Sequence, residues 1–134
     1  MLRSDTAAPG YLQTSGAGWF KEKNPSVSID LLEAAWLDGA AVLYIGKAGA
    51  GKRGTRGLRK RLSEYRRHGA GEKIGHWGGR YIWQLEDHSH HLVAWKITPG
   101  VDPEDVETEL INEFVLRFGA KPFANRKRRR SVRM

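Results

Sequence analysis

Apolar residues recur along this chain with two periods, and the points where the period changes divide it into elements. Val42-Leu43-Tyr44-Ile45 is a short apolar run of β-branched and aromatic residues that stops at Gly46, the pattern of a buried strand over residues 41–46. Residues 79–85 and 91–97 alternate at period two. The polar link 86–90 between them predicts an antiparallel hairpin. Helical spacing occurs three times. Ile29, Leu32 and Trp36 share a face within residues 26–36, with Ser26 or Ser28 as the cap. Leu58, Leu62 and Tyr65 share a face of a second helix, with Arg61 at the edge of that face, and Gly69-Ala70-Gly71 ends it. The third helix opens on Asp102-Pro103, a good N-cap followed by a residue suited to the first turn, and closes at Gly119.

On that third helix Val106, Leu110, Ile111, Phe114, Val115 and Phe118 form one apolar face. At about 100° per residue, their mean direction falls within about 10° of Glu107. Glu109 and Glu113 point the other way. A carboxylate centred on a buried stripe is costly unless a metal, a basic partner or nearby water satisfies it. Glu107 therefore calls for a metal, a basic partner or an edge position near water, the plain alternative being a structural ion pair with one of the arginines.

Composition narrows the class. With 134 residues, 40% apolar and 28% charged, the chain suits one soluble domain with a real core. Residues 1–25 are loop-rich, residues 1–125 form the domain, and 126–134 form a basic tail. No run reaches membrane-spanning length, residues 1–11 lack the apolar core of a signal peptide, and there is no cysteine. These features point to the cytoplasm, with no membrane partner and a monomer favoured.

The net charge of +8 is segregated. The tail holds six basic residues and no acid; residues 47–67 hold nine basic residues and one acid, Glu64, leaving about −6 on the rest. Segregated basicity is the footprint of a polyanion binder, here the phosphate backbone of DNA. Lys52, Arg53, Arg56, Arg59, Lys60, Arg66, Arg126 and Arg128 are the candidate phosphate contacts. The bland alternative is a solvated helix face with a solubilising tail.

Two motif readings remain. Residues 46–53 nearly match a phosphate-cradling loop, but Arg53 stands where a magnesium-holding Ser or Thr is needed. The cluster His88, His90, His91 reads as an exposed hairpin loop, because no further ligands surround it at suitable spacing.

Tyr44-Ile45-Gly46-Lys47-Ala48, then Leu58-Arg59-Lys60-Arg61-Leu62 with Tyr65, then Glu107 before Leu110-Ile111, then Pro122 to Asn125, resembles the GIY-YIG nuclease family over residues 41–125. The resemblance implies an α/β (α+β) fold, a small central mostly antiparallel β-sheet flanked by helices, with residues 80–85 as an extra hairpin strand. Two features depart from the family pattern. Leu31-Leu32-Glu33 stands where the first signature half is expected, about ten residues before Tyr44. Either the first strand lies further upstream, with Tyr11 as a poor substitute, or it is missing; residues 1–5 read as the end of a strand running into a turn, the pattern expected if the chain begins just after the signature tyrosine. The interval from Glu107 to Asn125 is also longer than in the excision-repair branch.

The resemblance implies a metal-dependent endonuclease that hydrolyses DNA phosphodiester bonds in repair, recombination or mobile-element processing. The alternative is a non-cleaving nucleic-acid-binding module of the same fold. In the nuclease reading Glu107 holds Mg2+ or another divalent cation such as Mn2+. Tyr44 orients or deprotonates the attacking water, with Lys47 lowering its pKa. Arg61 binds the scissile phosphate, Tyr65 positions an oxygen, and Asn125 ties the chain end to the site.

Overall fold

The computed structural model describes residues 1–50, 54 and 56–126. Among these residues three α-helices form the regular structure: α1 (Ile29–Ala35), α2 (Leu58–Gly69) and α3 (Pro103–Phe118). Short 3₁₀ turns occupy Trp77–Gly79, Ile82–Gln84 and His88–His90. Among the described residues there is no β-strand and no sheet. The chain is helix-dominated, which corrects the expectation of an α/β (α+β) fold with a central antiparallel sheet and an extra hairpin strand.

The helices begin and end where local chemistry dictates. Ser28 caps α1 by accepting from the Leu31 amide, and Leu32 and Ala35 turn inward. The Asp102 side chain accepts from the Glu104 amide at the start of α3; Gly119, at φ +82°, closes it in the left-handed region that suits glycine. Helix α2 buries Tyr65 and His68 and ends at Ala70.

The strand-like segments fail to become strands for a visible reason. Leu2 bridges both Val42 and Leu92, but each pairing is isolated. The groups that would extend a ladder along residues 43–45 are already engaged. The Leu43 carbonyl accepts from the Ala124 amide at 2.8 Å, and the Tyr44 carbonyl accepts from the Met1 nitrogen at 2.9 Å. The Ile45 amide and carbonyl are both taken by the Asn125 side chain. In residues 79–85, Tyr81, Ile82, Gln84 and Leu85 are all buried, a pattern that a one-faced strand of period two cannot give. The Gln84 amide instead fastens three loops. Its oxygen accepts from the Val27 amide, and its nitrogen donates to the carbonyls of Leu12 and Val27. Beyond Leu92, residues 93–97 pair with nothing regular, and Trp95 and Ile97 are 66% and 78% exposed.

Leu32, Leu43, Ile82, Leu85 and Phe123 make the fully enclosed centre of the core, with Tyr65 and Tyr81 against them. Trp36 meets Phe123 edge-on at 5.4 Å between ring centres. No helix among the described residues is long and apolar enough to cross a membrane.

One ion pair pins the amino-terminal segment to this core. Buried Arg3 donates from Nε to Asp87 Oδ2 at 2.7 Å, and Arg3 also lies over the Trp36 ring. His91, expected in an exposed loop, contacts the other Asp87 oxygen at 3.0 Å. Burial opposes the charge on Asp87, but the hydrogen bonds from Arg3 and His91 outweigh it and hold its pKa below the usual range. Asp87→Ala removes the carboxylate from buried Arg3, which keeps its bonds to the Asp5 and Ala7 carbonyls, and is expected to cost about 1–3 kcal/mol in a urea melt. A loss below about 0.5 kcal/mol would show the pair to be incidental.

Candidate active site

A cleft of about 770 Å3 opens between residues 44–50, the start of α2, residues 93–99 and the first half of α3. Tyr44, Lys47, Arg61, Tyr65 and Glu107 all line it. They arrive from three separate parts of the chain. The irregular run 42–46 delivers Tyr44, α2 delivers Arg61 and Tyr65 one turn apart, and α3 delivers Glu107. Asn125 stands behind the run rather than in the cleft. Its side-chain amide accepts from the Ile45 amide at 2.9 Å and donates to the Ile45 carbonyl at 2.8 Å, replacing the neighbour that a strand would have supplied.

The Tyr44 ring is folded back along its own backbone. A Cβ at Gly46 would come within 2.6 Å of that ring, and one at Gly78 within 2.9 Å of the phenol oxygen. Bare backbone at these two positions is what lets the phenol sit in the cleft. Burial pushes the Tyr44 phenol above its ordinary pKa; Arg61 opposes that rise and Glu107 adds to it. The cation acting on Tyr44 is thus Arg61. Lys47, expected to lower that pKa, instead pairs with Glu104 in the first turn of α3 at 3.2 Å. Tyr65 is pushed up more strongly, by burial and then by Tyr44. Neither tyrosine is ionised near neutral pH, so each acts as a hydrogen-bonding and orienting group.

Arg61 is half-buried, with Glu64 at 3.5 Å and the Gly75 carbonyl at 3.5 Å. Glu64 also holds Arg56. Burial opposes the Glu64 charge, but hydrogen bonding and attraction from the two arginines hold its pKa below the usual value. The guanidinium of Arg61 is therefore aimed by Glu64 without being enclosed.

Glu107 is half-buried and lies at the wall of the cleft, whereas the sequence pattern centres it on a buried stripe. The apolar face of α3 is less covered than its pattern predicts. Phe114 alone is buried, and Leu110 is exposed. No group of three or more His, Cys, Asp or Glu able to hold a metal occurs among the described residues. Glu107 is a carboxylate in the cleft lining that could hold a cation.

Of the basic candidates, Arg56, Arg59 and Lys60 line a second groove on another side of α2. Arg66 is exposed. Arg126 donates to the Pro122 carbonyl at 2.8 Å and lies 5.9 Å from the Tyr81 ring centre, so it is committed to the core's edge. Lys52, Arg53 and Arg128 lie outside the described residues, as do part of the glycine-rich loop and the tail beyond Arg126.

The sequence pattern does not reveal His76. Its ring is buried at the back of the cleft, 5.1 Å from Tyr65 and 6.3 Å from Tyr44, edge-on to both. Nothing in a glycine-flanked loop signals this, because the placement depends on how that loop returns to α2. Burial first, then Arg61, pushes His76 down to about 4. The folded state therefore favours the neutral ring. His76's contribution to stability is complete above the unfolded value of about 6.5 and is lost as pH falls towards 4. Its full size is roughly 3 kcal/mol. His68 is lowered in the same direction by burial and adds to the slope. Urea midpoints should fall between pH 7 and pH 4.5, with a shallower fall in His76→Gln; equal slopes for the two proteins would contradict this.

Comparison of the chain with family models, with curated proteins and with solved structures finds no match in any of the three.

Proposed function

We propose that the chain is a metal-dependent endonuclease that hydrolyses DNA phosphodiester bonds with GIY-YIG-like site chemistry. The observation that carries this reading is the convergence of Tyr44, Arg61, Tyr65 and Glu107, from separate elements, on one cleft. The reading transfers the site and not the sheet, and it carries a cytoplasmic location with it.

In this reading Arg61 pairs with the scissile phosphate and with the charge that develops on it. Glu64 fixes the direction of the guanidinium. Tyr44, protonated and facing Arg61 and Glu107, orients the attacking water by hydrogen bonding. Tyr65 and His76 hold the Tyr44 ring in place and keep water out from behind it. Glu107 is the residue that would hold a divalent cation, which when bound supplies positive charge to the phosphate oxygens.

The second reading, a nucleic-acid-binding module that does not cut, is favoured by one specific observation: burial pushes the Tyr44 phenol above its ordinary pKa, away from the ionised form that could take a proton from water. Incubation of supercoiled plasmid with the protein in Mg2+, in Mn2+ and in EDTA separates the two. Nicking that needs the cation supports the nuclease; a stable complex with intact plasmid in all three supports the binding module.

A further inference from the structure

We infer that the groove on the other side of α2 is a binding site for a single-stranded DNA flank next to the scissile phosphate. The inference rests on the DNA-hydrolysis reading for its substrate and on separate geometry for its site. The groove has a volume of about 910 Å3, with a floor of Phe20, Ile74 and Gly75 and a wall of α2 side chains. That volume accommodates a few nucleotides.

The charges of the groove are unevenly spent. Arg56 is held by Glu64, and Arg67 pairs with Glu72 at 3.0 Å. Arg59 and Lys60, one after the other on α2, have no acidic partner among the described residues. Two free cations beside an apolar floor fit a ligand that alternates phosphate with flat apolar rings. Single-stranded nucleic acid is that ligand, bound by pairing to the backbone and stacking on an aromatic side chain.

Phe20 is presented for such stacking by an unusual turn. Its amide and carbonyl pair with Lys23, and the two residues between, Lys21 and Glu22, both have positive φ, +49° and +62°, without being glycine. Backbone held in that region by non-glycine residues is costly and gathers at functional sites. The Phe20 ring lies over the bare backbone of Gly75, where a Cβ would come within 3.0 Å of it. The Lys21 ammonium lies 5.4 Å from the ring centre, on an exposed side chain free to swing towards a phosphate.

Groove and cleft adjoin at Arg61. Its guanidinium, in the lining of the cleft, lies 3.5 Å from the Gly75 carbonyl and 3.5 Å from Glu64, both of which line the groove. A strand whose phosphate sits on Arg61 therefore passes over Gly75 onto Phe20, with its next phosphates beside Arg59 and Lys60.

The test is fluorescence anisotropy on the full chain in EDTA, using a labelled duplex with and without a single-stranded thymidine tail. Working without metal keeps the result independent of cleavage. If plasmid is never nicked but the tail preference behaves as stated below, the hydrolysis reading fails and this site stands. The wild type should bind the tailed duplex about 5- to 150-fold more tightly than the blunt one, the range for a single base stacked on an aromatic ring. Phe20→Leu should remove most of that preference and leave blunt-duplex affinity unchanged, while Phe20→Trp should retain it. Arg59→Gln with Lys60→Gln, on an exposed helix face that the core does not need, should weaken tailed DNA more than blunt DNA. No tail preference in the wild type, or equal losses on both DNAs in these variants, overturns the inference. Replacing the tail by RNA of the same sequence asks whether the groove reads the sugar; tighter binding to the RNA tail would overturn the assignment to DNA.

Discussion

Arg61→Ala is expected to slow cleavage at saturating DNA by about 10²- to 10³-fold, the usual loss when one preorganised donor to a developing oxyanion is removed. The guanidinium faces the cleft, is aimed by Glu64, and is the group that lowers the Tyr44 pKa. Its removal strips charge from the phosphate position and lets burial raise Tyr44 further. The fold should survive. Arg61 is half-exposed, and Glu64 keeps its bond to Arg56, so a stability change within about 1 kcal/mol is expected. Arg59→Ala is the control, because Arg59 lies in the groove on the other side of α2. It should weaken DNA binding and salt dependence with little effect on the rate at saturation. A larger rate loss for Arg59→Ala than for Arg61→Ala would mean that the chemistry lies on the other side of the helix.

The helices were legible because their signals are local. Ser28, Asp102, Pro103 and Gly119 act on their immediate neighbours, and each occupies its expected position. Arg61 and Tyr65 were legible for the same reason, since their relative placement follows from one turn of helix. The sheet was misread because a strand is defined by partners that local pattern does not name. Residues 42–45 are apolar as the pattern requires, yet Asn125, Ala124 and Met1 take the groups a ladder needs. Gln84, polar and fully buried, fits neither a one-faced strand nor an exposed turn; only the structure shows it joining Leu12 and Val27. His76 and Phe20 were invisible because loops far from them in sequence decide what they touch.

Glu107→Gln is expected to abolish metal-dependent cutting while the protein keeps its shape. The amide matches the carboxylate in size but loses the charge that holds a cation. The same loss removes a charge that raises Tyr44, so the phenol should titrate lower in the variant, a shift readable by ultraviolet difference spectroscopy without any substrate. DNA binding in EDTA should persist or tighten, since a negative charge has left a cleft that contains Arg61. Thermal stability should change by no more than about 1 kcal/mol, because Glu107 stands half-buried at a cleft wall. The competing account makes Glu107 half of a structural ion pair, and then the substitution should cost roughly 3–5 kcal/mol. Melting curves with and without magnesium separate the two accounts. Magnesium should raise the melting temperature of the wild type and leave that of the variant unmoved.

The most direct test sets the wild type beside Glu107→Gln, purified in parallel, on supercoiled plasmid with Mg2+ and with EDTA. The parallel preparation matters because a contaminating nuclease would nick the plasmid in both samples. The account predicts nicking by the wild type in Mg2+ alone and none by a variant that is folded and binds the plasmid. Intact plasmid with the wild type in every divalent cation, or equal nicking by both proteins, would contradict it.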